Sequence, residues 1–177
     1  MFWRRGKKEK KNTILFLIDW ENIIRNIISG DPENFSLSLG FDNLMKNLAQ
    51  LGKIGSVFVF TPPHIAPSHL ELLVKLRFFP IFCPKVKDKK GEESDSTDNM
   101  LMDFGRKMIE QMPKLTHLCL ASGDKDFLPL IREAIHRGLK IIIVAGDTKS
   151  LSDELIDLAD KNPATGEKMV FLFSATV

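Results

Sequence analysis

Carboxylates stand where several apolar runs stop. FLIDWEN ends one run with Asp19, followed by Glu21 and Asn22. LASGDKDFLPL ends another with Ser122, Asp124 and Asp126, and VAGDTKS ends a third with Asp147. A fourth station is SDSTDNMLMDF, in which Asp98 stands three residues before Leu101. At that spacing two helical residues share a face, so Asp98 is expected on the core side of a first turn; Asp103 is expected to face away. Asp19, Asp98 and Asp124 come from distant stretches, and carboxylates brought together repel unless a cation intervenes. A hard divalent ion such as Mg²⁺ takes a few carboxylates and completes its shell with water and substrate phosphate. Such an ion activates water and clamps a phosphodiester oxygen. Each acid also has a plainer reading. An Asp after a strand commonly caps the next helix, which suits Asp124, Asp126 and Asp147. Glu21 reads as a solvated first-turn acid.

Other chemistries find less support. His64, His69, His117 and His136 are scattered without zinc-ligand spacing. There is no Gly-rich phosphate loop and no Gly-x-Ser-x-Gly elbow. Aspartyl-phosphate enzymes need a second Asp two residues after the first, where this chain has Glu21.

Strands are expected over residues 13–18, 54–60, 80–83, 116–121, 139–144 and 169–173. Helices are expected over 21–29, 41–51, 67–78, 96–112, 126–137 and 151–160. GDPENFSLSLG reads as a loop, as does the polar stretch 84–95. Strands alternate with helices throughout, and the fourth and fifth strands are continuously apolar. This pattern predicts a three-layer α/β/α sandwich with a central, mostly parallel sheet covered on both faces. In such sheets ligands gather at the carboxyl ends of the strands, near the point where strand order reverses.

Of the 177 residues, 44% are hydrophobic, as expected of a globular chain. Residues 13–177 are read as one domain preceded by a basic arm, 1–12. The apolar stretch after the arm is too short to span a membrane as a helix and no small-residue cleavage site follows it, so a soluble cytoplasmic protein is expected. Cys83 and Cys119 fall in strand-like segments and are expected to be buried thiols. The net charge is +2 but unevenly spread. The arm carries Arg4, Arg5, Lys7 and Lys8 among its six basic residues, against one Glu. PKVKDKKGEE adds Lys85, Lys87, Lys89 and Lys90. A basic arm and a basic loop on a mildly acidic body suit a polyanionic partner or, more plainly, a solvated tail and loop.

LIDWENI, the TDNML helix start, LASGDKDFLPLIREAIHRGLKIIIVAG and SLSDELIDLAD together resemble the NYN domain, a branch of the PIN-like nuclease superfamily. The shared features are Asp19 and Asn22, Asp98, Ser122 to Leu130, Gly138 to Gly146, and Ser152, Leu155, Ala159 and Asp160; they span nearly all of residues 13–173. The resemblance implies a PIN-like (Rossmann-like) sandwich, an Mg²⁺ or Mn²⁺ site and hydrolysis of RNA to 5′-phosphate and 3′-hydroxyl ends. It assigns Asp19, Asp98, Asp124 and Asp126 to the metal and catalytic cluster, with Asn22 and Ser122 as supporting polar groups. The chain departs from the family pattern after Asp98: Phe104 stands where a second Asp is expected, Asp103 is one residue off, and Asp95 is an alternative to Asp98. RNA would be gripped by Arg4, Arg5, Lys7, Lys8, Lys85, Lys87, Lys89 and Lys90. The competing expectation is an inactive RNA-binding or regulatory module on the same fold. A homodimer is left open, and Phe2 and Trp3 are expected to be disordered.

Overall fold

The structure, a computed structural model, describes residues 12–28, 36–87, 93–94 and 96–173. Six strands form one parallel sheet: β1 (Thr13–Asp19), β2 (Lys53–Thr61), β3 (Phe79–Phe82), β6 (His117–Ala121), β7 (Lys140–Ala145) and β8 (Val170–Leu172). A separate two-stranded hairpin pairs β4 (Val86–Lys87) with β5 (Glu93–Ser94). The helices are α1 (Trp20–Ile28), α2 (Leu37–Leu51), α3 (Ala66–Leu76), α4 (Thr97–Gln111), α5 (Leu128–His136) and α6 (Asp153–Leu158).

Strand alternation divides the core. On β1, Ile14, Phe16 and Ile18 face one side of the sheet with Ile23, Phe41, Leu44 and Leu73 from α1, α2 and α3. Leu15 and Leu17 face the other side with Leu101, Leu130, Ile131 and Leu155 from α4, α5 and α6. Both faces are therefore dry, which is why β6 and β7 read as unbroken apolar runs rather than as alternation. At about 25 cal/mol per Å² of apolar area removed from water, these two clusters supply the main drive to fold.

The sheet order is β3-β2-β1-β6-β7-β8. The first half of the chain builds outward from β1; α4 then carries the chain back to lay β6 on the opposite side of β1. The reversal point lies between β1 and β6, whose ends are in register through Leu17 with Leu120 and Ile18 with Ala121. In a doubly wound sheet that is where the loops diverge and leave a crevice.

Three local details differ from the expected elements. The second helix starts at Leu37, inside the stretch expected to be a loop, because the Ser36 hydroxyl accepts from the Leu39 N–H at 3.4 Å as an N-cap. The stretch read as a polar loop contains the β4–β5 hairpin. The helix expected from residue 126 begins instead as a 3₁₀ turn over Lys125–Phe127, and α5 proper starts at Leu128 with Pro129 in its first turn. Cys83 and Cys119 are buried free thiols. Among the described residues, no helix is long and apolar enough to cross a membrane.

Candidate functional site

Asp19 is the last residue of β1 and is 6% exposed. The next residue, Trp20, is fully buried, stacked on Phe41 at 5.5 Å and edge-on to His69 at 5.4 Å. This anchor turns the chain sharply into α1 and leaves Asp19 as the cap of that helix. Its Oδ1 accepts from the Asn22 N–H at 3.2 Å, and its Oδ2 accepts from the Ser122 hydroxyl at 3.2 Å. Ser122, fully buried at the end of β6, also accepts from the Asp124 N–H at 3.2 Å. The Asn22 side-chain oxygen accepts from the Gly123 N–H at 3.3 Å. The ends of β1 and β6 are thereby stitched together across the reversal point.

A pocket of about 190 Å³ opens there, lined by Asp19, Glu21, Asn22, Arg25, Thr97, Asp98 and Asp124. Asp98, in the first turn of α4, reaches it from the crossover helix, whereas Asp103 is turned outward and pairs with Arg106. Asp124 has two tasks. Its Oδ1 accepts from the Asp126 N–H at 2.9 Å, capping the 3₁₀ turn, and the residue also forms part of the pocket wall.

Burial is the main cause that lifts the Asp19 carboxyl from its ordinary 3.8 to about 7. The Asn22 N–H opposes the shift, the nearby Asp98 charge adds to it, the Ser122 hydroxyl opposes it and Glu21 adds a little. A carboxylate held out of water and facing other acids is relieved by a cation. Among the described residues, no three His, Cys, Asp or Glu side chains converge closely enough to hold a metal by themselves. The donors therefore fit an ion that takes one or two carboxylates and leaves the rest of its shell to water and substrate oxygen, as Mg²⁺ does, and not a closed protein cage.

Several expected residues lie elsewhere. Asp126 is exposed in the 3₁₀ turn and is not on the pocket wall: the turn commits its backbone N–H to Asp124 and carries its side chain outward. Phe104 packs edge-on against Phe58 at 4.7 Å and Phe60 at 5.5 Å, so the place of the second α4 acid is filled by an aromatic anchored on β2. Asp147 ties its own loop, its Oδ1 accepting from the Ser150 N–H at 2.8 Å. Asp160 lies at the far end of the sheet and accepts from the Ile141 N–H at 2.8 Å. Lys85 is exposed beside the start of α4, where the Ser96 hydroxyl donates to the Pro84 carbonyl. Arg4, Arg5, Lys7, Lys8, Lys89, Lys90 and Asp95, the Phe2–Trp3 pair and the Lys87 side chain lie outside the described residues.

Three wall residues, Glu21, Arg25 and Thr97, had no functional reading in the sequence. Glu21 lines the acidic pocket and pairs with Arg25 one helical turn on. The signal was present in the i,i+4 spacing of an acid and a base immediately after Asp19.

A doubly wound α/β/α fold with an acidic pocket at its reversal point has that pocket where such sheets bind their ligands, at the carboxyl ends of the strands. Residues 13–163 match the NYN domain, and the chain belongs to that family. NYN domains have a PIN-like nuclease fold, and NYN nucleases typically use divalent metals. The chain is 25% identical over 168 residues to an uncharacterized protein of Methanocaldococcus jannaschii, covering 95% of this chain but only 61% of that relative. Its fold is similar to the crystal structure of a protein of unknown function from Vibrio parahaemolyticus. The TM-score is 0.72 at 19% identity, over 94% of this chain and 95% of the other.

Proposed function

We propose that this chain is a divalent-metal-dependent ribonuclease acting at the pocket formed by Asp19, Asp98 and Asp124. The observation that carries this reading is the buried Asp19 carboxylate, held at the strand-order reversal with Asp98 and Asp124 on the same wall. One or two of the Asp19, Asp98 and Asp124 carboxylates would hold Mg²⁺ or Mn²⁺ directly and the rest through water; the ion when bound supplies an activated water and charge neutralisation at the scissile phosphate. Asn22 and Ser122 fix the two oxygens of Asp19 and so orient the carboxylate before any ligand arrives. Thr97, 4% exposed, closes the α4 side of the pocket. Asp126, exposed and off the pocket lining, would contribute by its backbone N–H, which fixes the Asp124 carboxylate.

The test is cleavage of labelled single-stranded and structured RNAs with Mn²⁺, with Mg²⁺ and with EDTA, for the wild type beside Asp19→Asn and Asp124→Asn. Cutting that needs metal and is lost in both variants is the expected result. Cutting that survives in both would remove the assignment.

The second reading, an RNA-binding module without cleavage, is favoured by one specific feature. Phe104 packs on Phe58 and Phe60 where the resemblance leads to the expectation of a second acid on α4. RNA binding by the wild type without cutting under any metal would select it.

A further inference from the structure

A second pocket, of about 410 Å³, adjoins the acidic one and shares Asn22, Arg25 and Asp124 with it. Its remaining wall is Asn26, Gly123, Lys125, Lys149, Ser150, Leu151 and Ser152. The character inverts across the shared wall: three cations, Arg25, Lys125 and Lys149, face a single acid, Asp124. Neither Lys125 nor Lys149 is ion-paired with another described residue, and Arg25 is paired only with Glu21 of the neighbouring pocket. Unpaired cations gathered in a concavity set a positive potential that attracts an anion.

The pocket is also built rather than accidental. Its floor is the contact between the loop after β6 and the loop after β7. A Cβ on Gly123 would lie 1.9 Å from the Ser150 carbonyl oxygen, so only glycine lets these loops meet. The Ser152 N–H donates to the Gly123 carbonyl at 3.1 Å. On the other side a Cβ on Gly146 would lie 2.6 Å from Cβ of Asn26, which seats the second loop against α1. Within that loop the Ser150 hydroxyl donates to the Asp147 carbonyl at 3.1 Å. Lys149 is therefore presented from a braced turn and lines the same pocket as Lys125.

We infer that this basic pocket seats a phosphate of the same RNA strand, next along from the one addressed by the acidic pocket. The inference rests on the ribonuclease reading for its choice of ligand. The pocket's volume is within the range of small-ligand sites and leaves room for one nucleotide unit of a strand. Arg25 stands on both walls and is the bridge: it leaves Glu21 for the strand when phosphate enters. Contacts of this kind grip the backbone without reading sequence.

The experiment measures binding of a short, mixed-sequence, fluorescein-labelled single-stranded RNA in EDTA across a salt series, so that cleavage plays no part. Wild type is compared with Lys125→Ala/Lys149→Ala and with a control pair, Lys46→Ala/Lys107→Ala, which removes the same charge from α2 and α4 outside both pockets. The pocket pair should bind roughly tenfold more weakly, with the salt slope reduced by about 0.7, the value for one lost phosphate contact on a single strand. The control pair should bind within about twofold of wild type. Equal weakening by both pairs would reduce the effect to net charge and overturn the subsite; so would no effect of the pocket pair, or a wild type that binds no RNA. Selective weakening in a protein that cuts no RNA would keep the subsite and sink the ribonuclease reading. Metal-dependent cutting with unchanged binding in the pocket pair would do the reverse.

Discussion

Two pockets share one wall and carry opposite charge. The smaller is lined by Asp19, Glu21, Asp98 and Asp124 against Arg25 alone; the larger by Arg25, Lys125 and Lys149 against Asp124 alone. The acids come mainly from strand ends and from first turns of helices, where backbone N–H groups favour a carboxylate even without a ligand. The added lysines of the larger pocket come from the turns that follow β6 and β7, where a long side chain can stand off the surface. Placing both at the strand-order reversal gives neighbouring sites for a cation and for an anionic strand. It also divides the costs. The buried acid of one pocket is held at a loss, while the exposed cations of the other lose little solvation.

Removing Asp19 should have the largest consequence for that division. Replacing even a group that only orients a metal ligand costs about 10–100-fold in activity, so Asp19→Asn should lose more than about 100-fold of metal-dependent cleavage. Ser122→Ala, which frees one Asp19 oxygen, should fall within that 10–100-fold range. Rates from both variants in Mn²⁺ would check the order.

The same residue separates the pockets by pH. Because Asp19 titrates near 7 in the fold and near 3.8 without it, the native state keeps a proton that the unfolded chain has lost. Stability through this group is therefore greatest below about pH 4 and falls as pH rises to about 7, by at most about 4 kcal/mol. Asp19→Asn should accordingly raise the Tm at pH 8 in EDTA and change it little at pH 4. Added Mn²⁺ should raise the wild-type Tm at pH 8 and leave that of Asp19→Asn where it is. A wild type whose stability does not decline over this range would show that burial leaves the carboxylate unperturbed.

Gly123→Ala should break both pockets together, since the new methyl meets backbone atoms of Ser150 and Leu151 and not the movable end of a side chain. A cost of about 1–3 kcal/mol in urea unfolding is expected, as for overpacked sites, with RNA binding weakened alongside. The smallest effect should come from Glu21→Gln. It removes an i,i+4 pair whose Arg25 side chain is 71% exposed, worth about 0.3–0.5 kcal/mol. Because it frees Arg25, it should leave RNA binding equal or slightly tighter in the salt series.

Much of this arrangement could be read from the residues in order. The period of Ile14, Phe16 and Ile18 against Leu15 and Leu17, and the unbroken run Ile141–Val144, mark strands of a sheet covered on both faces. The three-residue step from Asp98 to Leu101 placed Asp98 inward and Asp103 outward, as found. Asp126 was less legible, because a 3₁₀ turn advances each residue by a different angle from the α-helix assumed for it. The α2 start was obscured by the turn chemistry of GDPENFSLSLG, whose last residues are drawn into the helix by the Ser36 cap and by burial of Gly40 against the core.

Local chemistry determined which segments become strands and helices, and that acids follow the strands, because hydrophobic period and capping act over a few residues. Strand order was decided only by the tertiary structure. It joins residues about a hundred positions apart: Asp19 to Ser122, Asn22 to Gly123. It also assigned Arg25, Lys125 and Lys149 to one cavity and Asp147 and Asp160 to structural bonds. The reason is physical. Which loops meet depends on which strands pair, and pairing is selected by burial of the whole sheet, a sum over residues that no single stretch contains.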